Sequence, residues 1–176
     1  QDSDLLKKSK KGVAKLGGEI EELRDNVFFL IKSLDETSVR GSNFYIIILA
    51  YLTDIAQSLD FISKKSYKHV NNQHEKLKFK QFKDLKVIDD RLNLLYKEII
   101  DIFSSRKFER VSIILAQKEE IIILLNEKIN AQIERTRLEE SSPKNTTLYF
   151  NILLETKDLV NSIMNLMDEY FRSYKK

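Results

Sequence analysis

The stretch Glu36–Ile62, ETSVRGSNFYIIILAYLTDIAQSLDFI, returns without a gap 104 residues later as Glu140–Leu166, ESSPKNTTLYFNILLETKDLVNSIMNL. Glu36/Glu140, Ser38/Ser142, Tyr45/Tyr149, Ile48/Ile152, Leu49/Leu153, Asp54/Asp158 and Ser58/Ser162 are identical. A period of 104 exceeds the roughly 20–50 residues of a solenoid repeat, so the echo reads as duplication of a small helical bundle. The competing reading is two helices that share only their apolar spacing.

Working outward, four glycines and one proline leave few breaks in the 176 residues, and helical periodicity fills the space between them. Five long helices are predicted. The first, about Leu5 to Leu34, lines up Ile20, Leu23, Val27, Leu30, Ile31 and Leu34, with Gly17-Gly18 as a kink. The second runs from about Val39 to His74, with Ser38 as its cap by analogy with Ser142. The third, about Phe79 to Phe103, carries Leu85, Ile88, Leu92, Leu95, Ile99 and Ile102 at the three-four spacing of a bundle seam. The fourth, about Lys107 to Glu139, contains the apolar run Ile121–Leu125, which predicts a central helix buried on more than one side. A strand over that run lacks turn signals. The fifth begins at Ser142-Pro143, a cap residue followed by the one residue whose missing N–H costs nothing at a helix start. Short connections near 35–38, 75–78, 104–106 and 139–142 predict that consecutive helices pack antiparallel as neighbours. The fold class is therefore an all-α antiparallel bundle in one domain, residues 1–176, with a first repeat over about 5–104 and a second over about 105–176.

Composition narrows the function classes. With no cysteine, thiolate metal sites and thiol catalysis are excluded, and a reducing compartment fits. Thirty basic residues against 27 acidic ones leave a net charge of +3, too even for a dedicated nucleic-acid binder. No apolar run is read as approaching the roughly 20 residues that cross a bilayer, so the chain reads as soluble. The first residue is Gln, from which a longer parent protein is expected. Catalysis has no constellation to stand on: there is no nucleophile elbow, no glycine-rich phosphate loop and no helical His pair. Neighbouring acids such as Asp89-Asp90 point apart on a helix. No enzyme activity, cofactor or metal is expected.

Several side chains stand out as candidate contacts. Asp54 with Ser58, and Asp158 with Ser162, lie one turn apart at the edge of their apolar stripes and are read as polar contacts between the repeats. Glu155 falls at the centre of its stripe, where a Lys or Arg on a neighbouring helix is the expected partner. His69 and His74 are placed on different sides of a helix, and Asn71-Asn72 is read as the helix exit. Lys7, Lys8, Lys10 and Lys11 form the densest basic cluster.

These residues carry a resemblance. Tyr45-x-x-x-Leu49-x-x-Leu52-x-Asp54-Ile55-x-x-Ser58-Leu59, then His69-Val70-Asn71-Asn72-Gln73-His74 and Gln81-x-x-x-Leu85, resemble the PhoU-like domain that closes bacterial sodium/phosphate cotransporters. Lys128-Ile129-x-x-Gln132-Ile133-x-Arg135, followed by Ser142-x-Lys144-x-Thr146-x-Leu148-Tyr149 and Lys157-Asp158-Leu159-Val160, resembles the end of the same proteins. The likeness spans roughly Gly17 to Tyr170. It implies duplicated three-helix units, the second here lacking its third helix. It also implies a cytosolic, membrane-associated regulatory domain joined through its N-terminus to a phosphate transporter's membrane domain, with a second copy or a signalling protein as further partners. In that setting Lys7, Lys8, Lys10 and Lys11 would sit beside the membrane and meet anionic lipid. A phosphate- or metal-sensing adaptor binding a small ligand between the repeats is the alternative. Free PhoU proteins carry a Glu/Asp-x-x-x-Asp metal signature; here its positions hold Thr53/Gln57 and Lys157/Asn161, or in the other register Asp54/Ser58 and Asp158/Ser162. Neither supplies two carboxylates four residues apart, so the metal is not carried over.

Overall fold

A computed structural model describes residues 2–33 and 39–175. Among these residues every regular element is helical, and the helices pack as a bundle. The first expected helix is α1, Ser3–Asp25, followed by α2, Val27–Ser33. Asp2 caps α1, its Oδ1 accepting from the backbone N–H of Asp4 at 2.9 Å and of Leu5 at 3.2 Å. The break falls at Asn26 and not at Gly17-Gly18. The Asn26 side-chain amide donates to the Glu22 carbonyl at 2.9 Å, sharing the acceptor that would continue the helix. Both glycines sit inside regular α-helix, where a Cβ would meet nothing within 4 Å.

The second helix is α3, Val39–Asn71; its expected cap Ser38, like Leu34 and the 35–38 connection, lies outside the described residues. α3 stops short of His74 because Gln73 takes a left-handed φ of 54°. Its N–H then bonds the Val70 carbonyl at 3.0 Å and the His74 N–H bonds the His69 carbonyl at 3.2 Å, closing the helix end. The left-handed residue is Gln73, one beyond the Asn71-Asn72 pair expected to supply it. By length and composition α3 is apolar enough over Gly41–Asn71 to cross a membrane, which corrects the reading that no segment is; here it lies against α1 and α7.

α4, Phe79–Ser105, ends where Arg106 goes left-handed. The fourth expected helix is divided into a 3-10 turn at Phe108–Arg110, α5 at Val111–Ala116 and α6 at Lys118–Arg137. Ile121 and Leu125 are buried, but Ile123 faces outward, so the run Ile121–Leu125 is helical and buried on one side only. The central helix is instead α7, Pro143–Tyr174, which buries ten residues and starts as expected, with Ser142 Oγ accepting from Asn145 N–H at 3.3 Å and Pro143 at the first position.

α7 packs against α3 on one side and against α5 and α6 on the other, while α1 lies on α3 and α4 on α5 and α6. The joint between α3 and α4 therefore departs from the expectation that consecutive helices are neighbours. α3 and α7 run antiparallel: Phe44 meets Tyr170 edge-on at 5.4 Å near one end, and Asn145 Nδ2 donates to the Lys76 carbonyl at 2.9 Å at the other. One core joins Ile88, Leu95 and Ile102 of α4 with Ile121, Leu125 and the α7 stripe Leu153, Val160, Met164 and Met167, so it crosses the division expected near residue 104. The far end is closed by aromatic rings, Phe103 against Tyr170 at 4.9 Å and Phe108 stacked on Tyr170 at 5.8 Å.

Truncating fully buried Leu153 to Ala removes three carbons from the centre of this core and is expected to cost about 2–5 kcal/mol in urea unfolding. Gly18→Ala, at an unobstructed mid-helix position, is expected to gain about 0.5–1 kcal/mol in the same measurement.

Candidate functional site

Of the residues singled out in the sequence, Asp54 and Asp158 are exposed, Glu155 and Ser162 half-buried, and Ser58 buried. Among the described residues none of the five makes a side-chain hydrogen bond or ion pair, so the expected polar contacts between the repeats are not formed by them. Asp54 lines a groove of about 430 Å³ between the α1–α2 junction and α3, together with Arg24, Val27 and Ile46. Glu155 needs no buried cation, because Thr156 occupies the buried position and leaves the carboxylate at the rim of the stripe. The neighbouring Lys157 donates to Asn126 Oδ1 at 3.1 Å.

His69 and His74 come together rather than pointing apart. Because the helix ends at Asn71, the left-handed turn at Gln73 carries the His74 ring back to 5.1 Å from that of buried His69. His69 Nε2 lies 3.0 Å from the Glu75 carbonyl and, as the protonated nitrogen, ties the linker to the helix it has just left. Among the described residues no group of three or more His, Asp or Glu is gathered as a metal site.

The densest polar constellation lies where α4 begins, α6 ends and α7 begins. Asp84 of α4 is its hub. Lys128 Nζ approaches Asp84 Oδ1 at 3.0 Å, Arg135 Nη2 bonds Asp84 Oδ2, and the Tyr149 hydroxyl donates to that same oxygen at 3.2 Å. The Arg135 guanidinium also lies 5.6 Å from the centre of the Tyr149 ring. A second layer of amides continues inward. Gln81 Nε2 donates to Gln132 Oε1 at 3.1 Å and to Ser141 Oγ at 3.1 Å, while its own Oε1 accepts from Lys78 N–H at 3.0 Å. Arg135 Nη1 donates to Gln132 Oε1 at 3.0 Å, joining the two layers.

Burial pushes the Asp84 carboxyl toward its neutral form, but the bonds and charges of Lys128 and Arg135 outweigh it and hold the group below the ordinary carboxylate range. Burial pushes the Tyr149 phenol up to about 12, with Arg135 opposing, so at neutral pH it stays a protonated donor. An ionised carboxylate with its acceptors filled and a phenol that does not titrate make a fixed clamp between helix ends rather than an acid–base pair. Beside it opens a broad depression of about 780 Å³, whose rim carries Glu75, Glu139 and Glu140 against Lys78.

Gln81, Lys128, Gln132, Arg135 and Tyr149 stand in the sequence as parts of the family-like pattern, and Asp84 stands in none. The missed signal is positional. Gln81, Ile88, Leu95 and Ile102 recur every seven residues, which puts Gln81 on the buried seam of α4. Gln132 likewise continues the line of Ile121 and Leu125. A glutamine in an apolar seam must find partners, and two such seams facing each other name the pair.

Asp84 stabilises the fold through a depressed carboxyl, so its contribution is complete above the ordinary carboxylate pKa of about 3.9 and is lost as pH falls through the lower folded value. Asp84→Asn is expected to cost about 1–3 kcal/mol at neutral pH by leaving two cations without their carboxylate. It should also flatten the fall of stability below about pH 4, read by urea titration across pH.

In comparisons with protein-family models, with curated proteins and with solved structures, nothing matches this chain.

Proposed function

We propose that this chain is a non-catalytic regulatory or interaction domain that works through protein contacts, on the cytosolic side of a sodium-dependent phosphate transporter whose membrane domain lies in the same parent chain. The single observation that carries the contact reading is the open apolar face of the α1–α2–α3 layer. Leu16, Leu23 and Ile31 are exposed there with Ile46 of α3, and Phe28 and Phe29 are 65% and 68% exposed. Only Ile20 of α1 and α2 is buried. Large apolar side chains left exposed along one layer of the bundle mark a site of contact with another surface. The transporter assignment is supported by the sequence resemblance alone.

The proposed duplication draws support from the way corresponding positions face corresponding neighbours. Thr53 and Gln57 of α3 line the groove against α1, and Lys157 and Asn161 of α7 line the groove against α5 and α6. Two copies related by a twofold axis between antiparallel α3 and α7 would show this arrangement. Such an axis would have different surroundings on its two sides, because α4 covers the α5–α6 side while the α1–α2 side is left open. A partner that binds the open face in one transporter state and not the other shifts the balance between those states by its differential affinity.

Deleting the domain from the parent transporter is expected to change phosphate uptake or its response to phosphate supply, and Phe28→Ser with Phe29→Ser is expected to reproduce that change with helical content intact. Unaltered uptake and regulation in both would remove the proposal. Solution mass of the isolated chain across concentration tells whether a second copy covers the same face.

A further inference from the structure

Antiparallel packing gathers the start of α1, the end of α3, the linker 72–78 and the starts of α4 and α7 at one end of the bundle. Lys10 lies over the Tyr67 ring at 5.1 Å, which fixes the first turns of α1 beside the last turns of α3. Lys7, Lys8 and Lys11 are exposed around it, and α3 adds exposed Lys65 and Lys68 on the adjoining turns. Among the described residues none of these lysines has a carboxylate within ion-pair distance. The acids at this end are largely engaged: Asp2 caps α1, Asp60 holds Lys64, and Glu75 and Glu140 hold Lys78 and Lys80. Asp4 and Glu139 remain free among them, against six unpaired lysines, so the surplus is positive.

The same end carries the two most outward-turned rings of α4. Phe79, the first residue of the helix, is 80% exposed and Phe82, one turn on, is 60% exposed. Leu5, in the first turn of α1, is exposed as well. Neither ring packs against another aromatic side chain or takes part in the core. At the opposite end Arg110 and Arg172 are matched by Asp101 and Asp168, while Arg106, Lys107 and Lys175 are exposed without a carboxylate partner among the described residues, and the exposed rings of α4 are absent there.

We infer that this end is a docking surface for an anionic lipid bilayer, its lysines meeting the headgroups and Phe79, Phe82 and Leu5 entering the interface. The argument is charge complementarity joined to exposed apolar tips, the two ingredients of interfacial binding. A polyanion in solution would use the lysines but offers nothing for the two phenylalanines exposed at the same end of the bundle. The inference extends the lipid contact that the resemblance implies for Lys7, Lys8, Lys10 and Lys11, adding Lys65, Lys68 and the apolar tips from where these side chains stand.

The test is binding of the whole chain to vesicles of phosphatidylcholine alone and with about one third phosphatidylserine, at about 0.05 M and 0.5 M salt. Since the chain has no tryptophan, Phe79→Trp supplies a reporter whose emission shifts blue when the ring enters the interface. Expected are binding to the anionic vesicles only, loss at high salt, and a blue shift on binding. Changing Lys7, Lys8, Lys10 and Lys11 to Gln should weaken binding by roughly several hundredfold, since each lysine near an anionic surface contributes roughly fivefold. Phe79→Ser with Phe82→Ser should weaken it several-fold while keeping its salt dependence. All these side chains are exposed or at the surface, and unchanged helical circular dichroism checks each fold. Equal binding to neutral vesicles, no blue shift, indifference to the lysine changes, or binding to short RNA at the same salt without binding to vesicles would each overturn the inference. Transport measurements do not enter this test, so its failure is separate from failure of the proposed function.

Discussion

The structure depends on burying one long helix from two sides. α7 carries Tyr149, Leu153, Val160, Met164 and Met167 with almost no solvent contact, and no other element buries as many residues. At roughly 1.5–3 kcal/mol for each large apolar side chain removed from water, this stripe dominates the driving force for assembly. It also dictates the arrangement: α3 must take one flank and α5–α6 the other, which leaves α4 to close the second flank from outside. That is why α3 and α4, adjacent in the chain, are not neighbours in space.

Burying a helix through to its first turn raises a difficulty at its N-terminus, where backbone N–H groups have no partner of their own. The chain answers with Ser142 and Pro143, which satisfy or remove two of them, and with the polar cluster just inside. Tyr149 lies two turns into α7, deep enough to be sealed by packing, and its hydroxyl can only be accommodated because Asp84 waits on α4. Asp84 in turn is tolerable only with Lys128 and Arg135 on α6. With side-chain exposures of 14% and 12% for Asp84 and Arg135, solvent does little to replace a missing partner. The cluster thus adds little net stability over an apolar filling but penalises any register in which α4, α6 and α7 are displaced by a turn.

Most of the helices were legible because periodicity over 20 or more residues is a signal that local exceptions cannot erase. The boundaries were read less well, and for definable reasons. At Asn26 a polar side chain competes for a main-chain acceptor, whereas the more conspicuous glycines have no reason to bend a helix that nothing else bends. At Gln73 a residue with no special left-handed preference adopts φ 54° because its two capping bonds compensate, so the asparagines just before it drew attention wrongly. Helical geometry applied to His69 and His74 failed once the helix ended between them. The polar cluster was present in the sequence as a pattern without a place: seam spacing tells that Gln81 and Gln132 are buried, but not that their seams face each other, since that follows from a tertiary choice made by α7.

The same choice explains why the two ends and the two flanks of the bundle are so unlike. Once α4 is committed to the α5–α6 flank, nothing in residues 2–33 and 39–175 remains to cover the corresponding face of α1, α2 and α3, which keeps Phe28, Phe29 and Ile46 in water. At the polar end the side chains of α4, α6 and α7 bond mainly to one another, Asn145 Oδ1 excepted, and the lysines of α1 and α3 at that end are left without carboxylate partners. At the other end rings from α3, α4, α7 and the 3-10 turn close on Tyr170, and Arg110 and Arg172 are paired with Asp101 and Asp168. A chain evolved only to fold has no cause to keep an apolar flank and a basic end both open, since each costs solubility or self-repulsion without adding to the core. Their joint presence, on separate faces of a bundle closed over one apolar core, is what the proposed contacts with a partner protein and with a bilayer rest on.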